Sequence, residues 1–408
     1  MATTSLGADT GWISLFDGKS MDGWKQISPH ENRWVVENGI MMNKTKGCDI
    51  AAGPNLKNMQ VHVEFMLPGH SNSGIYLRGH YEIQIQSDYG KRPENGTCGG
   101  IYGQHVPRVN ATRPDGEWQT FDATLIGNTI SVVHNGVAVI TKKELTGVTG
   151  AAMPGKHGDP GPLKIQGDHG PLQIRSVLIH PLKDGEAPVA FPAPTGFTSI
   201  FDGKTTSGWD LTACGHGTGG KWEVIDGALA GDQDKPGNGG IMLSTEQYGD
   251  FELSMDIAPD WGVCSGIFLR SNTKGQCYQI MVDYHTDGNV GGIYGEGTGG
   301  FNVRNYDFAK DSQTIVVRDK PDRGGIPLTE AQGKTLYFHD DWNHIDAKMT
   351  GNPPTIDVWL NGVHVSHYMD TEKRLPDKGH IGVQVHGGGG WPMGKKTRFK
   401  NIHIMPLK

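Results

Sequence analysis

Chemically useful side chains gather first in "YEIQIQ", Tyr81–Gln86. Period-two alternation places Tyr81, Ile83 and Ile85 on one face of a strand and Glu82, Gln84 and Gln86 on the other. The first set reads as core. The second is a polar stripe that a buried inter-sheet face would not accept without partners, so it is expected on an outer, concave face suited to a polar ligand such as a sugar. In "SGIYLRG" the same alternation sets Tyr76 and Arg78 opposite Ile75 and Leu77, which predicts Arg78 beside Glu82. A second group, Gln166, Asp168 and His169 in "IQGDHG", closes another strand.

Each of these has a plain alternative. Arg78 and Glu82 as a cross-strand ion pair would contribute only about 0.2–1 kcal/mol. His169 reads equally as a turn histidine bonded to backbone. Tyr102 in "GGIYG" offers a ring for sugar stacking, or packs at a sheet edge, as does Tyr294. Glu82, Asp88, Asp168 and His169 form an oxygen-rich set suited to Ca²⁺ or Mn²⁺, although no loop has recognisable ligand spacing.

The elements that must position these residues occur twice. "FDGKSMDGW" (Phe16–Trp24) returns as "FDGKTTSGW" (Phe201–Trp209), and "SGIYLRG" as "SGIFLRS". "YEIQI" returns as "YQIMV", "GGIYG" recurs, and "IRSVLIHPL" is answered by "FKNIHIMPL". So many matches in one order mark a tandem duplication. The halves are expected at 10–184 and 197–408, joined by a proline-rich stretch at 185–196 that reads as a stiff connection. Short alternating runs separated by Gly, Asn and Pro predict strands, and "HNGV" and "LNGV" predict tight hairpins. Asp17 and Asp202 in the repeated opening read as turn residues bonding their own backbone. With no long helix in view, an all-β fold of two tandem jelly-roll sandwiches follows.

Composition narrows the function. The 408 residues include 61 Gly and 23 Pro, and the net charge is −7 with no basic block. Nucleic acid and anionic membrane surfaces are therefore poor partners, whereas a neutral sugar fits. No apolar run is long enough to span a bilayer as a helix, and the first residues show no basic start or apolar signal core. The five cysteines form no CxxC pair; Cys48 with Cys98 and Cys264 with Cys277 are candidates to face each other across strands.

The ordered motifs, from "LFDGK…GW" through "SGIYLRG", "YEIQI" and "GGIYG" to "IQGDHG…IRSVLIHPL", resemble the 3-keto-disaccharide hydrolase domain family, twice over. That resemblance implies a concanavalin-like sandwich and action on glycosides whose C3 hydroxyl has become a ketone. It further implies an exported bacterial protein, periplasmic or secreted. The family pattern near His169 is similar to Q-D-H-G, with Gly167 inserted here. A C3 ketone acidifies the C2 hydrogen, so a base could remove it, expel the C1 substituent, and leave an enone for water to attack. His169 and Glu82 are the candidates for base and acid, and Arg78 for stabilising the enolate. Two competitors remain: a non-catalytic carbohydrate-binding protein, and an ordinary glycosidase. The latter requires paired carboxylates at about 5–5.5 or 6.5–9.5 Å, and the Glu82 stripe holds no second acid.

The halves differ at the site. Gln279, Met281 and Asp283 stand where Glu82, Gln84 and Gln86 do, while Arg270 and His386 read as retained and His285 is added. The second half also carries an insertion near 296–340, expected to form a lid or to pack onto the first half. "GGGGWPMGKK" is expected to present Trp391 on a flexible glycine arm for sugar stacking. The first half, with Glu82, Arg78 and His169 together, is the expected seat of catalysis.

Overall fold

A computed structural model describes residues 11–407 except 311 and 323. It divides into two compact units, the first ending at Pro194 and the second beginning at Thr195. Each is built on a pair of antiparallel sheets, as alternating apolar residues bounded by turn formers demand, and the second adds a two-stranded sheet of Tyr306–Phe308 and Ile315–Val317. The only α-helix among the described residues, Glu330–Leu336, is short and opens on a Thr329/Gln332 capping box. No described helix is long and apolar enough to cross a membrane.

In the first unit, a five-stranded sheet runs Lys25–Gln26, Ile50–Leu56, Gly161–Ile165, Asn72–Leu77, Tyr81–Gln86. It packs Ile75, Leu77, Ile83 and Ile85 into a core shared with Phe65, Phe121 and Ile174 of the eight-stranded sheet. The second unit repeats this plan. Its Gly266–Ser271 and Cys277–Val282 strands pair as their counterparts do, with Phe268 opposite Gln279 where Tyr76 stands opposite Glu82. Asp17 and Asp202 accept from the backbone N–H groups two and three residues ahead, as turn residues.

Part of the stretch at 185–196 is held by hydrogen bonds: Gln60 exchanges two with Val189, and Ala190 accepts from the Trp12 indole. The buried Gln60 amide needs those partners. The insertion packs into its own unit, with Tyr306, Phe308, Leu336 and Tyr337 fully inside the second core. All five cysteines are unpaired.

Candidate active site

The polar stripe of Tyr81–Gln86 is not an open face. Glu82 is 4% exposed and Gln84 2%. Segments beyond the strand also pair its edge: Glu82 N–H donates to Thr149 Oγ1, its carbonyl accepts from Tyr102 N–H, and Gly99–Gly100 exchanges bonds with Gln84.

Glu82 can lie flat across the neighbouring strand because Gly74 has no side chain. A Cβ there would come within 2.7 Å of Glu82 Cγ. Beside it, Tyr76 is fully buried and Lys164 2% exposed. Lys164 Nζ sits 4.2 Å above the Tyr76 ring centroid and 2.8 Å from Asp49 Oδ2. Asp49 is fixed in turn by the Gly167 N–H, 2.9 Å from Oδ1. Burial pushes the Glu82 carboxyl up to about 7. Tyr76, Lys164 and His169 restrain that rise, and the charge of Asp49 adds to it. The result is an acid that titrates near neutrality inside a sealed cluster.

The cluster opens where the Gly161–Ile165 strand ends. Gln166 N–H donates to Gly74 and Ser73 Oγ to the Gln166 carbonyl, holding that residue under the strand pair, with its side-chain Oε1 buried and unpartnered. Gly167 passes so close to the Cys48 carbonyl that no Cβ fits. The chain then exposes His169, half open to solvent, with Nδ1 2.5 Å from Asp168 Oδ1. An imidazole held through Nδ1 by a carboxylate turns its other nitrogen to whatever enters. Asn72 donates to Gln86 at the same end. Tyr102, bonded at the strand edge through its N–H, is 44% exposed.

Arg78 is not in this cluster. Its φ of +56° ends the alternation after Leu77, and its guanidinium turns away to the Lys57 and Gly127 carbonyls, above the Tyr81 ring. Arg270 behaves alike: φ is +50°, and it bonds the Gly249 and Gly351 carbonyls and Asp250. Both arginines tie turns together. Asp88 is also committed elsewhere, accepting from Cys98 N–H, Thr112 and Asn110.

Sequence reasoning missed Asp49 and Lys164. A single lysine between Leu163 and Ile165 reads as a solvated strand residue; its only signal was sharing a face with Gln166.

Strand register also corrects the comparison of halves. Ser265 Oγ donates to the Gln384 carbonyl as Ser73 does to Gln166, and Ile267 pairs with Val383 as Ile75 pairs with Ile165. Gly167 therefore stands where Val385 stands, and His386 occupies the position of Asp168. By the same register Asp49, Tyr76, Glu82 and Lys164 become Ile241, Phe268, Gln279 and Gly382. The charged cluster is absent from the second unit as a whole. There Asp283 is buried against Cys264, and Trp391 is no flexible arm: 6% exposed, it packs on Val263 and Val385 and donates to Asp232 and the Lys395 carbonyl.

A family model described as the 3-keto-alpha-glucoside-1,2-lyase-like domain matches residues 11–180 and again 196–405. A protein of Bacteroides thetaiotaomicron named 3-keto-disaccharide hydrolase is 35% identical over 81 residues. That match covers 18% of this chain and 27% of the relative, so the chain spans about a quarter of the curated relative it matches. Among solved structures, a "putative glycosyl hydrolase" of Parabacteroides distasonis shows 29% identity over 42% of this chain and 84% of its own, with a TM-score of 0.36. A carbohydrate-binding module of Bacillus subtilis shows 13% identity over 48% of this chain and 95% of its own, with a TM-score of 0.28.

Proposed function

We propose that this chain, which belongs to the 3-keto-alpha-glucoside-1,2-lyase-like domain family in both halves, cleaves 3-keto-glycosides with its first unit. Family membership makes it a carbohydrate-active protein. The observation that carries the finer reading is the pairing of a solvent-facing Asp168–His169 dyad with a sealed acid that titrates near neutrality.

In this reading His169 takes the C2 hydrogen through the nitrogen that Asp168 leaves free. The C–H electron pair moves toward the C3 carbonyl as an enolate. It returns to form the C1–C2 double bond, and the C1 oxygen leaves with its bonding pair. The imidazolium is an acid available to that oxygen. Water then adds at C1 of the enone and a proton returns to C2, so the net change is hydrolysis. Glu82 is a positioning residue that holds or releases a proton as His169 changes charge, and Lys164 keeps a fixed cation behind the dyad. Asp49 is a second carboxylate near Glu82, but Lys164 and Gly167 occupy its oxygens, which disfavours an ordinary two-carboxylate glycosidase. Export to the periplasm or beyond belongs to the same proposal.

The test is incubation with a 3-keto disaccharide and its unoxidised parent in deuterated water, followed by NMR. Release of 3-keto-glucose from the oxidised sugar alone, with deuterium at C2, supports elimination and hydration. Binding without cleavage of either sugar makes the protein a carbohydrate-binding one. Cleavage of the parent alone revives the ordinary glycosidase.

A further inference from the structure

The second unit lacks the charged cluster, yet it is not chemically empty. A cleft of about 570 Å³ opens there, lined by Trp261, Cys264, His285, His386 and Trp391. Cys264, Asp283 and His285 each bring one donor atom to within 4.8 Å of the other two. Cys264 Sγ already donates to Asp283 Oδ1 at 3.1 Å. Donors bound to one tetrahedral ion at roughly 2.0–2.3 Å stand about 3.2–3.8 Å apart, so this thiol and carboxylate are close to the spacing of one edge.

The imidazole is prepared in the same sense. His285 Nδ1 lies 2.7 Å from the Thr286 carbonyl, which accepts its N–H and leaves the lone pair on the other nitrogen. A ring anchored to backbone on one side and free on the other is the usual state of a metal-ligating histidine.

Comparison of the halves separates this trio from ordinary strand-end polarity. Register places Asn72, Gln86 and Asp88 at the equivalent positions of the first unit. There the first two form a neutral amide pair at 2.8 Å, and Asp88 is bound up with Cys98, Thr112 and Asn110. All three positions thus differ between the halves, and only the second unit places a thiol, a carboxylate and an imidazole there. Sulfur and imidazole donors select against Ca²⁺, Mg²⁺ and Mn²⁺ and toward softer ions.

We propose that Cys264, Asp283 and His285 hold one divalent transition-metal ion of the zinc class in the second unit. Its fourth coordination position opens into the cleft lined by Trp261 and Trp391. Binding expels the thiol proton to solvent and leaves a metal thiolate. An ion with three protein ligands and one open position takes water or an oxygen of a cleft ligand. The proposal does not depend on the cleavage reaction assigned to the first unit.

The experiment is a Co²⁺ titration of the chelator-stripped full chain, followed by displacement with Zn²⁺. One equivalent should bind with a near-ultraviolet thiolate-to-cobalt charge-transfer band and strong tetrahedral d–d absorption, both erased by Zn²⁺. Cys264→Ser should abolish the charge-transfer band, and His285→Ala should weaken binding by roughly tenfold or more. Asp283→Asn, which keeps the thiol and the side-chain size, should also weaken it, so the assignment does not rest on the serine variant alone. Among the described residues Asp357, His364 and His367 form the other group of this kind, without sulfur, and His364→Ala should leave the band intact. No charge-transfer band, a band unchanged by Cys264→Ser and Asp283→Asn, or an equivalent lost only with His364→Ala would each overturn the proposal.

Discussion

Lys164 Nζ lies 2.8 Å from Asp49 Oδ2, with the lysine side chain 3% and the aspartate side chain 9% exposed. A buried pair of this kind is costly to break from one side, because the remaining charge has no compensation. Lys164→Met should therefore lower stability by about 3–5 kcal/mol. The double change Lys164→Met with Asp49→Leu should recover most of that loss, as the apolar second unit suggests. Urea denaturation of the two single variants and the double variant measures the coupling. Additive losses would show that the pair is not acting as a unit.

The Glu82 carboxyl has a midpoint near 7 in the fold, against an ordinary value of 4.5. Below pH 4.5 both folded and unfolded chains hold the proton, and nothing is lost. Between pH 4.5 and 7 the unfolded chain releases it first, so stability falls. Above pH 7 the full cost of roughly 3 kcal/mol persists. Glu82→Gln should thus raise Tm at pH 8 and leave it nearly unchanged at pH 4. It should also flatten the pH–rate profile near neutrality while sparing sugar affinity.

His169→Ala removes the solvent-facing imidazole and should lower kcat by about 10²–10⁴-fold, with a much smaller change in KM. Steady-state kinetics on a 3-keto disaccharide decide this. Full activity in the variant would remove His169 from the chemistry.

Gly74→Ala forces a methyl group into the space of the Glu82 side chain. The expected cost is about 1–3 kcal/mol, together with a loss of activity as the carboxyl is displaced. Gly266→Ala is the matched control, since its Cβ would meet Gln279 at the same depth. It should destabilise without touching the rate.

Arg78→Met strips donors from the Lys57 and Gly127 carbonyls, at about 1–3 kcal/mol for each buried group left unpaired. Activity per folded molecule should persist. A lost rate with unchanged stability would return Arg78 to the site.

Much of the architecture was legible because alternation and turn residues act locally. The repeated motifs, the strand at Tyr81–Gln86 and the turn role of Asp17 all came from short windows. Arg78 was misplaced because one left-handed residue, invisible to alternation, swings the side chain out of phase. Burial of the Glu82 stripe was missed because its neighbours, Gly74, Tyr76, Lys164 and Asp49, come from other parts of the chain. Asp49 and Lys164 escaped notice for a similar reason: each looks ordinary until two strands pair. His386 was matched to His169 by letter, whereas hydrogen-bond register aligns it with Asp168.

The wholesale exchange of Asp49, Tyr76, Glu82 and Lys164 for Ile241, Phe268, Gln279 and Gly382 implies a rugged path between the two interiors. Changing Lys164 or Asp49 alone strands a charge without its partner and lowers stability, whereas Tyr76→Phe and Glu82→Gln strand none. Grafting the first interior onto the second scaffold must therefore move at least the Asp49–Lys164 pair together. One chain thus preserves two finished solutions to the same enclosed space, each the natural reference for the other.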